Sequence, residues 1–314
     1  MTTVIASAGL AVNERVEIRR NRIKGKGSGA ASDKRVCIVT GTHGDELEGQ
    51  FVCAETARIL SESIEKLSGT VDIYPALNPL GMDSITRGIP LFDLDMNRIF
   101  PGTADGTMAE CLAADIISDI SGADICIDIH SSNIYLKEIP QIRINELSAE
   151  ELMPYAKTLN CDFIWIHSSA TVLESTLAYS LNTTGTKTLV VEMGVGMRIT
   201  REYCEQLTAG IFNLLKALGM WSGDAEPVRE PIISGERAVE FVNSGADGIF
   251  VPCVEHWVDI DKGEHIGDVI DPATGKISEY VTAPCSGKIF TLREYPIVYG
   301  GSLIARILGG DSNA

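Results

Sequence analysis

Two histidines and a glutamate stand directly after apolar runs, and their types and spacing suggest a metal site. His43 and Glu46 lie in the stretch GTHGDELEG, which follows RVCIVT, and His130 ends the run ICIDIH. Imidazole nitrogens and carboxylate oxygens are zinc ligands in proteins, and a catalytic zinc keeps one position open for water. A His43, Glu46 and His130 set with water in the fourth position would be a hydrolytic site.

The spacing His-x-x-Glu is a weak signal when it stands alone. A glutamate that caps a turn beside a surface histidine gives the same pattern, and only the second strand-end histidine, His130, makes the metal interpretation competitive. Asp45 and Glu48 are typical of caps, of solvated surface or of residues that support the metal ligands. Asp128 alternates with His130 and so shares its strand face, where it can orient the imidazole.

The elements that must position these residues alternate along the first 220 residues. Helical spacing of apolar residues predicts helices near 47–67, 106–121, 148–159 and 200–219. Short β-branched runs predict strands at 35–40, 70–77, 123–130, 161–167 and 186–193. Such alternation predicts an α/β fold with a mostly parallel sheet flanked by helices. Ligands collect at the carboxyl ends of such strands, where His43, His130 and Glu192 fall.

The residue composition and the pattern of apolar residues change after residue 222. The polar stretch WSGDAEPVREP carries two prolines and is typical of a linker. Short strands and glycine turns follow, without a helix-length amphipathic run. We therefore predict a catalytic domain over 1–222 and a small all-β domain over 232–314.

Composition limits the partners. The chain has 314 residues and a formal net charge of −17, which argues against nucleic acid and anionic membranes. No apolar run approaches the length that spans a bilayer, and the amino terminus lacks the pattern of a signal peptide. The eight cysteines form no CxxC pair and mostly lie in apolar segments, as expected for reduced packing residues. These features predict a cytoplasmic protein.

A long loop over 78–102 contains the remaining candidates. It reads NPLGMDSITRGIPLFDLDMNRIFPG and includes Arg87 and the pair Asn97–Arg98. A guanidinium matches a carboxylate, and an asparagine adds a donor beside it. An ion pair of Arg98 with Asp93 or Asp95 that only ties the loop down explains the same residues equally well.

In this order, GTHGDELEG, the NP…R…DxNRxFPG loop, DIHSS and VVEMG resemble the succinylglutamate desuccinylase/aspartoacylase family, a branch of the zinc carboxypeptidase-like amidohydrolases. The resemblance covers about residues 35–200. The β-rich tail is similar to the small barrel-sandwich domain of bacterial members. The resemblance implies one Zn²⁺ per chain, a small N-acyl amino acid as substrate and an enzyme that hydrolyses non-peptide amide bonds. It does not decide whether the chain forms a homo-oligomer.

The resemblance also assigns roles residue by residue. It implies His43, Glu46 and His130 as zinc ligands, and Asn97 and Arg98 as the binding site for the substrate α-carboxylate. Arg87 would polarise the scissile carbonyl. Glu192, in VVEMG, would be the general base that takes a proton from water and returns it to the leaving amine. Without the resemblance, Glu192 would be read as a strand-end surface acid.

One departure from the family pattern bears on the acyl group. Aspartoacylases carry an arginine about ten residues before the catalytic glutamate, and it binds the acyl carboxylate. This chain reads YSLNTTGTKTLVVE there, with Asn182 and Lys187 but no arginine. A small neutral acyl group such as acetyl, on a neutral or cationic amino acid, is favoured over an acidic one. Contacts of His167, Tyr295, Tyr299 or the ESTLAYS stretch with substrate stay open, and His256 and His265 are expected to serve structure.

Two alternatives remain at this point. A metallo-carboxypeptidase acting on short peptides would use the same Asn97–Arg98 pair for a terminal carboxylate. A non-catalytic binding protein could retain zinc for structure only, although structural zinc sites usually have four protein ligands and three are found here.

Overall fold

A computed structural model describes residues 1–27, 31–168 and 174–309. Its helices are α1 (Glu48–Glu62), α2 (Pro79–Ser84), α3 (Met108–Ile120), α4 (Ala149–Ala156), α5 (Leu177–Thr183) and α6 (Arg201–Ala217). The strands that precede the predicted linker are β1 (Thr2–Gly9), β2 (Arg15–Lys24), β3 (Arg35–Thr40), β4 (Thr70–Tyr74), β5 (Ile125–Ser131), β6 (Leu136–Asn145), β7 (Phe163–His167) and β8 (Lys187–Gly194). The later strands are β9 (Ile232–Gly235), β10 (Val239–Asn243), β11 (Gly248–Pro252), β12 (Asp259–Ile260), β13 (His265–Ile270), β14 (Ile277–Thr282), β15 (Gly287–Arg293), β16 (Ile297–Val298) and β17 (Leu303–Gly309).

A large mixed sheet forms the centre of the molecule. Its main path runs β1-β2-β4-β3-β5-β8-β6-β15-β17-β10, and β7 joins it through β6. Strands β4, β3, β5 and β8 are parallel neighbours, whereas β6 is antiparallel to β8. The predicted α/β class is confirmed. All five predicted strands form, and all four predicted helices form with ends within a few residues of the expected bounds.

Helices cover both faces of this sheet and create two cores. Helices α1 and α6 pack on one face over residues such as Ile38, Ile127 and Leu189. Helix α3 packs on the other face over Cys37 and Cys126. Burial of each large aliphatic side chain stabilises the fold by about 1.5–3 kcal/mol. Because both faces are covered, the parallel strands are apolar almost throughout, and polar residues cluster at their ends.

Glycines shape the turn that follows β3. Gly41 adopts a φ of +69°, a region that residues with a Cβ rarely occupy. A Cβ on Gly44 would stand 2.0 Å from the backbone carbon of Gly81, so the turn and the start of α2 approach as only glycine allows. These two positions bring residues 43–46 tightly over the carboxyl end of the sheet.

The region after residue 232 is rich in strands, as predicted, but its strands are shared between two sheets. Strands β14, β13, β11 and β16 form a separate antiparallel sheet. Strand β15 instead pairs with β6, and β9 pairs with β7, so hydrogen bonds join both sides of the linker in the large sheet. The division into domains at 222–232 therefore stays a prediction. Among the described residues, no helix combines the length and apolar character needed to cross a bilayer.

Candidate metal centre and active-site cavity

His43, Glu46 and His130 converge at the carboxyl end of the sheet. His43 Nδ1 lies 2.7 Å from Glu46 Oε1, and His130 Nδ1 lies 2.9 Å from Glu46 Oε2. The two Nδ1 atoms are 3.3 Å apart. His43 and Glu46 come from the turn after β3, and His130 from the end of β5, which is the neighbouring parallel strand. All three side chains are buried.

Each imidazole also has a carboxylate at its far nitrogen. His43 Nε2 lies 3.1 Å from Asp95 Oδ1. His130 Nε2 lies 3.2 Å from Asp128 Oδ2, an ion-pair distance outside hydrogen-bond geometry. Carboxylates in this position orient histidine ligands of a metal and raise their basicity. Asp128 lies where it can orient the His130 imidazole, as the strand alternation suggests. The contact of Asp95 with His43 has no signal in the sequence, which suggests Asp95 only as a partner of Arg98.

The electrostatics of this cluster favour a cation. Burial disfavours the charged form of His130, but Asp128 and Glu46 outweigh it and raise its pKa well above the ordinary value. Burial opposes ionisation of Glu46, yet His130 and His43 lower its pKa. The buried carboxyl groups of Glu46 and Asp128 and the partly buried one of Asp95 thus surround two imidazoles, and their negative potential holds positive charge between them.

The spacing of the three ligand atoms fits zinc. Nitrogen ligands about 2.0–2.1 Å from a tetrahedral zinc stand roughly 3.3 Å from each other, which is the distance between the two Nδ1 atoms. The ligand atoms of the three residues all lie within 4.8 Å of one another. The donors, their orienting carboxylates and the surrounding charge therefore suit a zinc ion with three protein ligands.

A second group of possible ligands lies in the strand-rich region after the linker. Cys253, His265 and Asp268 also have ligand atoms within 4.8 Å of one another. Cys253 is exposed, and His265 Nε2 is already 2.8 Å from Asp268 Oδ1. Because this group is open to solvent and the His43 group is buried, the His43 group is the stronger candidate.

Glu192 stands beside the metal cluster. Strands β5 and β8 pair in parallel with His130 opposite Glu192, so both side chains lie on one face of the sheet. Both line a cavity of about 680 Å³, a volume typical of small-molecule sites. Burial raises the pKa of Glu192, and the positive charge of Arg143 opposes that rise. A partly buried carboxylate with a raised pKa in a cavity has the character of a general base.

The arginines and the asparagine of the 78–102 loop line the same cavity. Arg87 donates to Glu46 Oε1 over 2.9 Å, so its guanidinium reaches the metal cluster. Asn97 is buried, and its Oδ1 accepts from the backbone N–H of Leu177 at the start of α5. Arg98 is partly exposed and lies 4.0 Å from Asp95 Oδ2, at the limit of an ion pair. The loop-tethering contact of Arg98 with Asp95 is therefore present but weak.

Sequence reasoning missed three charged residues of the cavity wall. Arg143 and Glu138 come from β6, and Arg306 comes from β17. Arg143 donates to Glu192 Oε1 over 3.2 Å and to Glu138 Oε2 over 2.9 Å. The alternating run KEIPQIRIN around Arg143 indicates a strand, but the sequence does not show which strands pair with it.

The open questions about individual residues have structural answers. His167 lines the cavity, and burial together with Arg143 lowers its pKa to about 4, so it is neutral there. Thr176 and Tyr179 of the ESTLAYS stretch also line it. Tyr295 and Tyr299 are exposed and lie outside the cavity wall formed by the described residues.

Glu48 and His256 have structural contacts. Glu48 is buried and does not lie on the solvated surface. Its Oε2 accepts a hydrogen bond from the backbone N–H of Thr200 at the start of α6. His256 Nε2 lies 2.7 Å from the carbonyl oxygen of Phe290.

Together, the fold and the cavity define an α/β protein of hydrolase type with a candidate metal site of three residues. Residues 32–218 match the family model of the succinylglutamate desuccinylase/aspartoacylase catalytic domain, and the chain belongs to this family. It is 26% identical over 243 residues to N-alpha-acetyl-L-2,4-diaminobutyric acid deacetylase of Halomonas elongata, covering 74% of this chain and 70% of that protein.

Solved structures show the same fold. The product-bound ectoine utilization protein EutE (DoeB) of Ruegeria pomeroyi superposes with a TM-score of 0.81 at 21% identity, covering 99% of this chain and 95% of the other. A succinylglutamate desuccinylase/aspartoacylase of Rhodobacter sphaeroides gives a TM-score of 0.81 at 23% identity, covering 99% and 96%.

Proposed function

We propose that this protein is a zinc-dependent deacylase that hydrolyses the amide bond of a small N-acyl amino acid. The observation that carries the proposal is the convergence of His43, Glu46 and His130 beside Glu192 in one cavity. Family membership and the deacetylase named among its relatives support the same reaction class. A zinc ion held by the three ligands would polarise the acyl carbonyl and lower the pKa of water.

The residues of the chain supply the remaining chemistry. Glu192 accepts a proton from the attacking water and delivers it to the nitrogen of the leaving amine. Arg87, whose guanidinium reaches the metal cluster, donates to the oxygen on which negative charge develops. Arg98 and the amide of Asn97 bind the α-carboxylate at the cavity wall.

The charge balance of the cavity favours a neutral acyl group. Two arginines, Arg143 and Arg306, do enter the cavity from elements that the sequence did not connect with it. Both are paired with carboxylates, Arg143 with Glu192 and Glu138, and Arg306 with Glu138. Their charges are therefore balanced, and a succinyl or aspartyl group would find no unpaired cation there. An acetyl group on a neutral or cationic amino acid fits better.

A substrate panel tests this proposal. The purified protein is incubated with N-acetyl amino acids, including N-acetyl-2,4-diaminobutyrate, and with N-acetylaspartate, N-succinylglutamate and short peptides, with and without a chelator. We expect amine release from neutral or cationic N-acetyl amino acids that stops when zinc is removed. Faster cleavage of di- or tripeptides would indicate a carboxypeptidase. Full zinc occupancy without hydrolysis of any compound would favour a binding protein.

A further inference from the structure

Four side chains of alternating charge form a row along the cavity wall, which we call the charge row: Glu192, Arg143, Glu138 and Arg306. The Arg143 guanidinium uses one nitrogen for Glu192 Oε1, at 3.2 Å, and the other for Glu138 Oε2, at 2.9 Å. Arg306 donates to the second oxygen of Glu138. The row begins on β8, crosses β6 and ends on β17 in the strand-rich region after the linker.

The charge row is held rigidly. The Glu138 side chain is 1% exposed, and Thr291 Oγ1 stands 3.4 Å from its Oε1. The ring of Trp165 lies against both guanidiniums, with Cζ of Arg143 at 5.7 Å and Cζ of Arg306 at 5.6 Å from its centroid. Arginine stacked on an aromatic ring and paired with two carboxylates has few alternative rotamers.

From this geometry we infer that Arg143 is a positioning residue for Glu192, and that Arg306 acts on Glu192 through Glu138 and Arg143. The inference rests on the proposed function, in which Glu192 is the base. Arg143 fixes Oε1, so Oε2 is presented to the substrate in one orientation. Glu138 prevents the guanidinium from turning away, and Arg306 fixes Glu138. The strands after the linker thereby contribute to the chemistry without touching the reacting atoms.

A direct role of Arg143 in binding an anionic acyl group fits the same contacts less well. Both nitrogens of its fork are already used by carboxylates. An anion would have to displace Glu192 or Glu138 from Arg143, which leaves a buried carboxylate without its partner. The two roles differ in kinetics, because a positioning residue affects kcat and a binding residue affects KM.

The test is a double-mutant cycle, in which substitutions in the charge row are made alone and together with Glu192→Gln. We expect Arg143→Met to lower kcat about 10- to 100-fold, since misplacement of a catalytic group by about 1 Å costs up to that factor. KM should change less than about twofold. Arg143→Lys, which keeps the charge but not the fork, should recover part of kcat, and Arg306→Met should lower kcat less than Arg143→Met. In the Glu192→Gln background, Arg143→Met should cause no further loss.

Zinc content and melting temperature are measured for every variant. Arg293→Met is the control, because Arg293 is a buried arginine on β15 that stacks on Tyr135 and lies outside the cavity wall formed by the described residues. It should change stability and leave kcat unchanged. If Arg143→Met does not fold, Arg143→Lys and Arg306→Lys, in both backgrounds, decide the question.

The inference would be overturned if Arg143→Met lowered kcat equally in the unmodified protein and in the Glu192→Gln variant. It would also be overturned if Arg143→Met raised KM and left kcat unchanged. The failure of the proposed function is a separate result: the unmodified protein then releases no amine, or Glu192→Gln keeps near-normal kcat. The inference alone fails when kcat of Glu192→Gln falls as proposed but the Arg143 variants behave like Arg293→Met.

Discussion

Buried charges collect at both ends of the central parallel strands, and the two clusters differ in how completely they are paired. At the amino end, Asp72 of β4 is fully buried between arginines of β2 and β3. Its Oδ1 accepts from Arg22, and its Oδ2 accepts from Arg22 and Arg35, all within 2.6–2.7 Å. At the carboxyl end stands the His43, Glu46 and His130 group.

The carboxyl-end cluster keeps polar atoms that the described residues do not satisfy. Asp128 Oδ1 and both polar side-chain atoms of Gln141 are buried without hydrogen-bond partners there. Each such atom costs about 1–3 kcal/mol. A fold accepts that cost where a ligand or metal provides the missing contacts, and natural proteins break packing rules mainly at functional sites. We infer from this difference that the Asp72 cluster serves stability and that the His130 cluster serves the proposed chemistry.

The largest effect is expected when a metal ligand is removed. His130→Ala should lose zinc and bring activity below detection, because two ligands do not complete the site. Zinc per chain by atomic absorption and amine release measure this. His265→Ala, in the half-exposed group with Cys253, is the matched control and should keep both. Stoichiometric zinc in His130→Ala would refute the ligand assignment.

Substitution of the base should separate catalysis from metal binding. Glu192→Gln keeps the shape of the side chain but cannot accept a proton, so kcat should fall about 10²–10⁴-fold at little change in KM. Zinc should stay at one per chain. Glu46→Gln is the contrasting variant, because Glu46 is a proposed ligand and its substitution should release zinc. Loss of metal from Glu192→Gln would make Glu192 a ligand.

The amino-end cluster should affect stability and not turnover. Asp72→Asn leaves the partly buried guanidiniums of Arg22 and Arg35 without their carboxylate and should lower the free energy of unfolding by about 3 kcal/mol. The value of kcat, measured well below the melting temperature, should stay unchanged. Glu62→Gln, which removes an exposed pair with Arg58, should cost less than about 1 kcal/mol. A large loss of kcat in Asp72→Asn would erase the contrast between the two ends.

The stabilising contribution of Asp72 should depend on pH. Burial opposes ionisation of Asp72, but hydrogen bonds from Arg22 and Arg35 outweigh it and lower its pKa. A carboxyl group with a lowered folded-state pKa stabilises the fold fully above its unfolded value near pH 4 and loses this contribution as pH falls through the folded value. The stability difference between the unmodified protein and Asp72→Asn should therefore shrink below about pH 4 in denaturant titrations. If the stability difference between the two proteins grew on acidification, the pKa of Asp72 would not be lowered by folding.

The smallest effect is expected for the carboxylate-binding arginine. Arg98 is partly exposed at the cavity wall, and a charge-assisted hydrogen bond contributes about 1.5–3 kcal/mol. Arg98→Ala should thus raise KM about tenfold or more and leave kcat nearly unchanged, since a remote clamp acts in ground and transition states alike. The preference for free-carboxylate over amidated substrates should disappear with it. An unchanged KM would remove Arg98 from the binding site.

The sequence predicts the centre of the fold better than its edges. Strands β3, β5 and β8 are apolar because helices cover both faces, and so their ends, with His43, His130 and Glu192, could be located. Strand β2 escaped prediction because arginines replace apolar residues along RVEIRRNRIK, and some of them turn to Asp72. That compensation is visible only once β2 lies beside β4.

The charge row could not be predicted for a similar reason. Arg143 and Glu138 lie five residues apart on β6 and meet only because the β6–β8 pairing is irregular between Glu138 and Gln141. Arg306 is more than 160 residues away from Glu138 and arrives through the pairing of β15 with β6 and β17. Long-range antiparallel register leaves no local pattern in the sequence.

The central claim is that one zinc ion at His43, Glu46 and His130 supports hydrolysis. The most direct measurement titrates zinc into chelator-treated protein and follows amine release from an N-acetyl amino acid that the panel has identified. The account predicts that activity rises with added zinc and levels off at one zinc per chain. Full activity of the zinc-free protein, or activity that appears only with a second equivalent of zinc, would contradict it.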